Sequence, residues 1–201
     1  MICSNYKCLS VLVCVLFAFF PTHAETENYR LLIEPTFSYP PIGWPIAGAK
    51  QTILVPAHLK ENGTLQYLTP DELLHSGLSR QQFEKIALNN ASQTLAKLRP
   101  KFIRNSDGVV LYAVLESSQS LTASTVLAPN FAGLFEDTMG PDFLVAIPNR
   151  FRVYVFPRLF APMVKIADDV AIDFRSSAYP VTKEVLTLHK GKLSCVGVLE
   201  Y

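Results

Sequence analysis

Residues 140–158 read GPDFLVAIPNRFRVYVFPR, and the way this stretch divides decides the fold. Two apolar runs, Asp142 to Ile147 and Arg150 to Phe156, meet at Pro148-Asn149, and both are rich in the β-branched and aromatic residues that suit a pleated surface. An antiparallel strand pair is the expected structure, although proline breaks the pattern of an ideal two-residue turn. On a strand beginning at Arg150, Arg150 and Arg152 share one face with Tyr154 and Phe156, while Phe151, Val153 and Val155 take the other. Two guanidinium groups beside an aromatic ring suit a carboxylate or phosphate, so Arg150, Arg152, Asn149 and Tyr154 are candidates for binding a small anionic ligand or a protein partner. The same arginines also suit a structural role, as charges that flank and protect a hydrophobic strand.

The elements around this pair extend the pattern. Thr52 to Val55 and Leu65 to Leu68 read as short strands with a turn at Glu61-Asn62-Gly63-Thr64. Thr69-Pro70-Asp71-Glu72 is a helix start, with proline in the first turn followed by acids. Ser79-Arg80-Gln81-Gln82 has the spacing of a capping box, after which Phe83, Ile86, Ala87, Ala91, Leu95 and Leu98 recur at helical intervals before Pro100. Lys101 to Arg104 and Val109 to Leu115 form an expected hairpin around Asn105-Ser106-Asp107-Gly108. Leu121 to Met139 reads as a helical connection, and Arg158 to Phe174 as an amphipathic helix with Lys165, Asp168, Asp169 and Asp173 on its wet side. Val185 to Leu188 and Leu193 to Leu199 close the chain as a last hairpin around Lys190-Gly191. Hairpins interspersed with two or three amphipathic helices predict an α+β domain over residues 51–201, its mainly antiparallel sheet covered by helices.

The two ends of the N-terminal region read differently. Residues 1–24 carry one lysine, Lys7, an apolar core from Leu9 to Phe20 and Thr22-His23-Ala24 as a cleavage site, the make-up of a secretory signal peptide. The apolar run falls short of the roughly 20 residues a membrane-spanning helix needs, so the mature chain is expected to hold no stable transmembrane segment. Residues 25–50 are rich in proline and read as an extended arm laid over the body, with Trp44 either buried beneath it or displayed as a binding aromatic.

Export removes Cys3, Cys8 and Cys14 and leaves Cys195 alone, either as a small buried hydrophobe or as a reactive thiol. Loss of Lys7 takes the 18 Lys plus Arg to 17, equal to the 17 Asp plus Glu. A formally neutral chain without a basic stripe is not expected to bind nucleic acid. His58, His75 and His189 lack the spacing of a metal site, the glycines form no phosphate-binding loop, and no G-x-S-x-G nucleophile is present. No cofactor is therefore expected.

Three motifs together carry a resemblance to a known family. Phe83-Glu84-Lys85-Ile86-Ala87-Leu88-Asn89-Asn90, the T-A-S-T-V-L run at Thr122 to Leu127 and the P-N-R strand pair beginning at Phe143 follow the order found in the YtpQ-like family of uncharacterised bacterial proteins. The chain resembles that family over roughly residues 68–201, with Phe151 where the family has an aspartate. The resemblance implies an α+β fold and no particular activity. The reading that follows is an exported bacterial protein, periplasmic or secreted, acting as a non-catalytic binding domain. The competing reading is an enzyme, such as a hydrolase, with its site near the Arg150 and Arg152 strand.

Overall fold

A computed structural model describes residues 26–158, 163–189 and 191–199. The expected signal peptide lies outside those residues, as do Leu159, Phe160 and Lys190. Ten strands and four α-helices are described, and the chain is an α+β protein with antiparallel sheets.

The smaller sheet is built by β1 (Tyr29–Pro35), β2 (Trp44–Pro45), β3 (Thr52–Leu59) and β4 (Leu65–Tyr67). β1 pairs with β3 along its full length, from Tyr29 opposite His58 to Pro35 opposite Thr52. β2 meets β3 at Ile53 and Leu54, and β4 meets it from Ala57 to Leu59. The described part of the proline-rich segment is thus more than an arm laid over the body, since Tyr29–Pro35 and Trp44–Pro45 are strands of this sheet. Its Leu31, Leu32 and Ile33 are buried between apolar neighbours, and that burial draws the segment into the sheet.

The larger sheet has six strands in the order β10-β9-β7-β8-β6-β5. They are β5 (Lys101–Arg104), β6 (Val110–Glu116), β7 (Phe143–Asn149), β8 (Arg152–Pro157), β9 (Glu184–His189) and β10 (Lys192–Val198). Period-two alternation gives this sheet two apolar faces. Val145, Ile147, Val153 and Val155 join Phe131, Phe135 and Phe143 in one core that also takes in Ile33 of the smaller sheet and Ile46, which follows β2. Ala146, Tyr154 and Phe156 face the other way, against Ile166 and Val170 of the helix Met163–Ser176.

The helices form where local chemistry starts them. In α1 (Pro70–His75) Thr69 and Glu72 make a reciprocal capping box, and in α2 (Arg80–Leu95) Ser79 and Gln82 do the same. α2 buries Phe83, Ala87, Ala91 and Leu95, chiefly against β1. The connection 121–139 is less helical than expected: two 3-10 turns, Ala123–Leu127 and Ala132–Leu134, precede the single-turn α3 (Glu136–Met139). Phe131 and Phe135 are fully buried there, so tertiary packing sets its path. α4 is the helix Met163–Ser176.

The two sheets are stitched together by buried polar groups. Glu184 at the start of β9, 1% exposed, accepts hydrogen bonds from the backbone N–H groups of Lys50 (2.6 Å) and Gln51 (3.0 Å) and from the Thr52 hydroxyl. Nearby, Cys195 donates its backbone N–H to Ala47 at 2.8 Å. Gly48 has φ +74° there, and a Cβ would lie 2.7 Å from the Cys195 carbonyl oxygen, so this close seam requires glycine.

Candidate functional site: the β7–β8 turn

The turn between β7 and β8 lies at Arg150-Phe151, two residues later than Pro148-Asn149. β7 runs through Pro148 because a register shift between Ala146 and Asn149 places one extra residue on it. Proline offers no N–H to the ladder, and a bulge is one of the few sheet positions that tolerates it. The carbonyls of Ile147 and Pro148 accept instead from the N–H groups of Thr182 (3.1 Å) and Val181 (2.8 Å).

The turn itself is held from both sides. Ser117 donates its N–H to the Phe151 carbonyl (3.1 Å), Ala123 donates to the Arg150 carbonyl (3.0 Å), and Arg150 donates to the Tyr179 carbonyl (3.2 Å). The Phe151 N–H is taken by the Asn149 side-chain oxygen (3.0 Å), whose amide nitrogen donates to the Asp173 carbonyl (3.2 Å). Asn149 is thereby a buried brace of the turn.

Because Arg150 belongs to the turn and not to β8, the two arginines do not converge. Arg150 reaches the smaller sheet, where its Nε lies 2.8 Å from Glu34 Oε1 and its Nη2 donates to the Tyr67 hydroxyl (2.9 Å). The Tyr67 hydroxyl also bonds Glu34 (3.1 Å), which closes a triad across the sheets. Glu34 is 3% exposed and the Arg150 side chain 15%. Burial pushes the Glu34 carboxyl above the usual carboxylate range, partly offset by Arg150 and Tyr67.

Arg152 points the other way. Its Nη1 forks onto both Asp173 oxygens (2.9 and 2.8 Å) and its Nη2 donates to Glu116 (2.7 Å). The Tyr154 hydroxyl donates to Asp173 at 2.7 Å. Asp173 is therefore not a member of the solvated helix face with Asp168 and Asp169; it turns inward to serve Arg152 and Tyr154. Hydrogen bonding to Asp173 holds the Arg152 guanidinium further into the charged range, and burial together with Asp173 pushes the Tyr154 phenol up.

Clefts open on both sides of Phe151. One, of about 440 Å³, is lined by Glu116, Ser117, Arg152, Asp173, Ser176 and Phe151 among others. The second, of about 400 Å³, is lined by Asn62, Thr64, Ser118, Ser120, Phe151 and Tyr179 among others. Between them Phe151 packs edge-on against the half-exposed Tyr179 (centroids 5.9 Å apart), and the Arg150 guanidinium lies 5.1 Å from the Tyr179 ring.

The remaining candidates separate from this site. Trp44, 8% exposed, packs on Phe83 beneath the Arg80 guanidinium, which lies 4.5 Å from its ring, so it is core and not a displayed aromatic. Cys195 is half-buried on β10, bonded to the Gly197 carbonyl, and burial pushes its thiol up, away from thiolate formation. It pairs with Leu186 and His189 pairs with Lys192, so the two lie on adjacent strands without facing each other. His58 stands beside Tyr29 on β3 and His75 bonds the Asp71 carbonyl at the end of α1. No group of His, Cys, Asp and Glu suited to a metal occurs among the described residues.

Glu34, Tyr67, Glu116, Asp173 and Tyr179 are the participants sequence reasoning missed. Only Glu34 carried a signal, as a lone charge inside the apolar run Leu31-Leu32-Ile33 and before Pro35. No family model, curated protein or solved structure matches the chain. Fold and site define an α+β protein with a braced hairpin turn between two polar clefts. No helix among the described residues is long and apolar enough to cross a membrane.

Proposed function

We propose that the protein is exported from a bacterial cytoplasm, loses residues 1–24, and works in the envelope or outside it as a non-catalytic binding domain whose contact surface is the β7–β8 turn. Kinship with the YtpQ-like family belongs to the same proposal and rests on the short motifs that resemble it. The observation that carries the functional reading is the locked state of the ionisable groups around the turn. Arg152 and Tyr154 are tied to Asp173 and both are shifted away from neutral pH, while the Glu34 carboxyl, which burial raises, is 3% exposed and closed off by Arg150 and Tyr67. General acid–base work needs a group poised near the working pH, whereas binding gains from side chains fixed in advance.

The test is affinity capture by the tagged protein, exported from its full-length precursor, from its own host's extracytoplasmic fraction. A Glu116→Ala, Phe151→Ala variant serves as the control, since neither residue is fully buried. A component retained by the native protein and lost by a folded variant supports the reading. Equal retention by both, or turnover of substrate by the native protein alone, contradicts it.

A further inference from the structure

The two clefts differ in the charge they present. The first holds two carboxylates, Glu116 and Asp173, around the single guanidinium of Arg152. An anion entering it meets a positive charge already claimed by two negative ones, so the expected anionic ligand has no electrostatic advantage there. The second cleft has no acidic residue in its lining; its polar groups are the side chains of Asn62, Thr64, Ser118 and Ser120, with Arg150 already committed to Glu34. A cationic ligand would therefore find acceptors of opposite charge in one cleft and none in the other.

What the clefts share is hydroxyl chemistry. Serine and threonine hydroxyls both donate and accept, and a carboxylate bonded through one oxygen, as Glu116 is to Arg152, retains accepting capacity on the other. The aromatic residue the clefts share is Phe151, which packs edge-on against Tyr179 in the second cleft. Resting on the binding reading given above, we infer that the ligand is a neutral oligosaccharide lying across Phe151, with one sugar unit in each cleft. Its C–H face covers Phe151, and its hydroxyls reach Glu116 and Ser176 on one side and Ser118 and Ser120 on the other. The braced turn keeps this surface preformed, so little ordering opposes association.

The probes are neutral oligosaccharides made by partial hydrolysis of the host's own envelope glycans, with inorganic phosphate and tetralysine beside them. Binding is read by amide chemical shifts of the exported protein. Saturable shifts on both sides of Phe151 with the oligosaccharides are expected, with the constituent monosaccharides roughly tenfold weaker because they fill one cleft only. Phe151→Ala, with its melting temperature retained, is expected to weaken the oligosaccharide by about tenfold. Saturation by phosphate or tetralysine alone, sugar-induced shifts elsewhere, or no response to the oligosaccharides overturns the ligand class. If capture still depends on Glu116 and Phe151 in that event, the site stands and only its ligand was misassigned; if neither experiment reports the turn, both readings fall.

Discussion

Arg150 does its work by neutralising a charge that the smaller sheet has buried. Removing one partner of such a pair leaves the other uncompensated, so Arg150→Ala is expected to cost about 3 kcal/mol, the lower end for buried pairs because Arg150 keeps some solvent. The loss depends on pH. Because burial raises the folded-state pKa of Glu34, the folded protein holds a proton that the unfolded chain has released, and stability falls as pH rises through that window. Without Arg150 the pKa rises further and the window widens. Urea unfolding of the variant is therefore expected to show a small deficit near about pH 3, below the pKa of Glu34 in both states, and a larger one at about pH 8. A deficit independent of pH would mean that Glu34 is not the group Arg150 serves. Glu34 could be suspected from its apolar neighbours, but its partner 116 residues away could not, because ion pairs across sheets leave no local pattern.

Elements whose start is written in adjacent residues were legible. The helix start at Thr69, the capping box at Ser79, the 101–116 hairpin and the last hairpin form as the sequence predicts because the decisive contacts are short-range. Ser79→Ala is expected to destabilise the protein by about 1 kcal/mol, measured by the shift in urea midpoint at unchanged slope. The sequence places the β7–β8 turn at Pro148-Asn149, whereas a bulge accommodates the proline within the strand and moves the turn to Arg150-Phe151. That displacement also undid the expected pairing of Arg150 with Arg152 on one strand face. Asp173 was read as solvated because helical periodicity describes the helix and not the strand packed beside it.

At the scale of the whole molecule the two sheets share one hydrophobic core and are joined by the Glu34–Arg150 and Glu184–Thr52 contacts. They are expected to unfold together. Trp44 is the single tryptophan and sits in the smaller sheet against α2, so its fluorescence reports that region while far-UV circular dichroism reports all elements. Coincident urea transitions by the two probes are expected; an earlier fluorescence transition would show that the smaller sheet detaches first. The α+β class was legible from the alternation of hairpins and helices, but the split into two sheets was not. The proline-rich segment 25–50 gave no sign that its Tyr29–Pro35 would pair with Thr52–Leu59.

The preformed turn underlies both the binding reading and the ligand inferred for it, and native-state hydrogen exchange measures it directly. The amides of Ser117, Ala123, Arg150 and Phe151, all engaged in holding the turn, are expected to exchange as slowly as those of β7 and β8. Exchange of these amides as fast as that of the exposed turns at Gly63 and Gly108 would show a mobile hairpin tip, and the clefts beside it would then not be preformed.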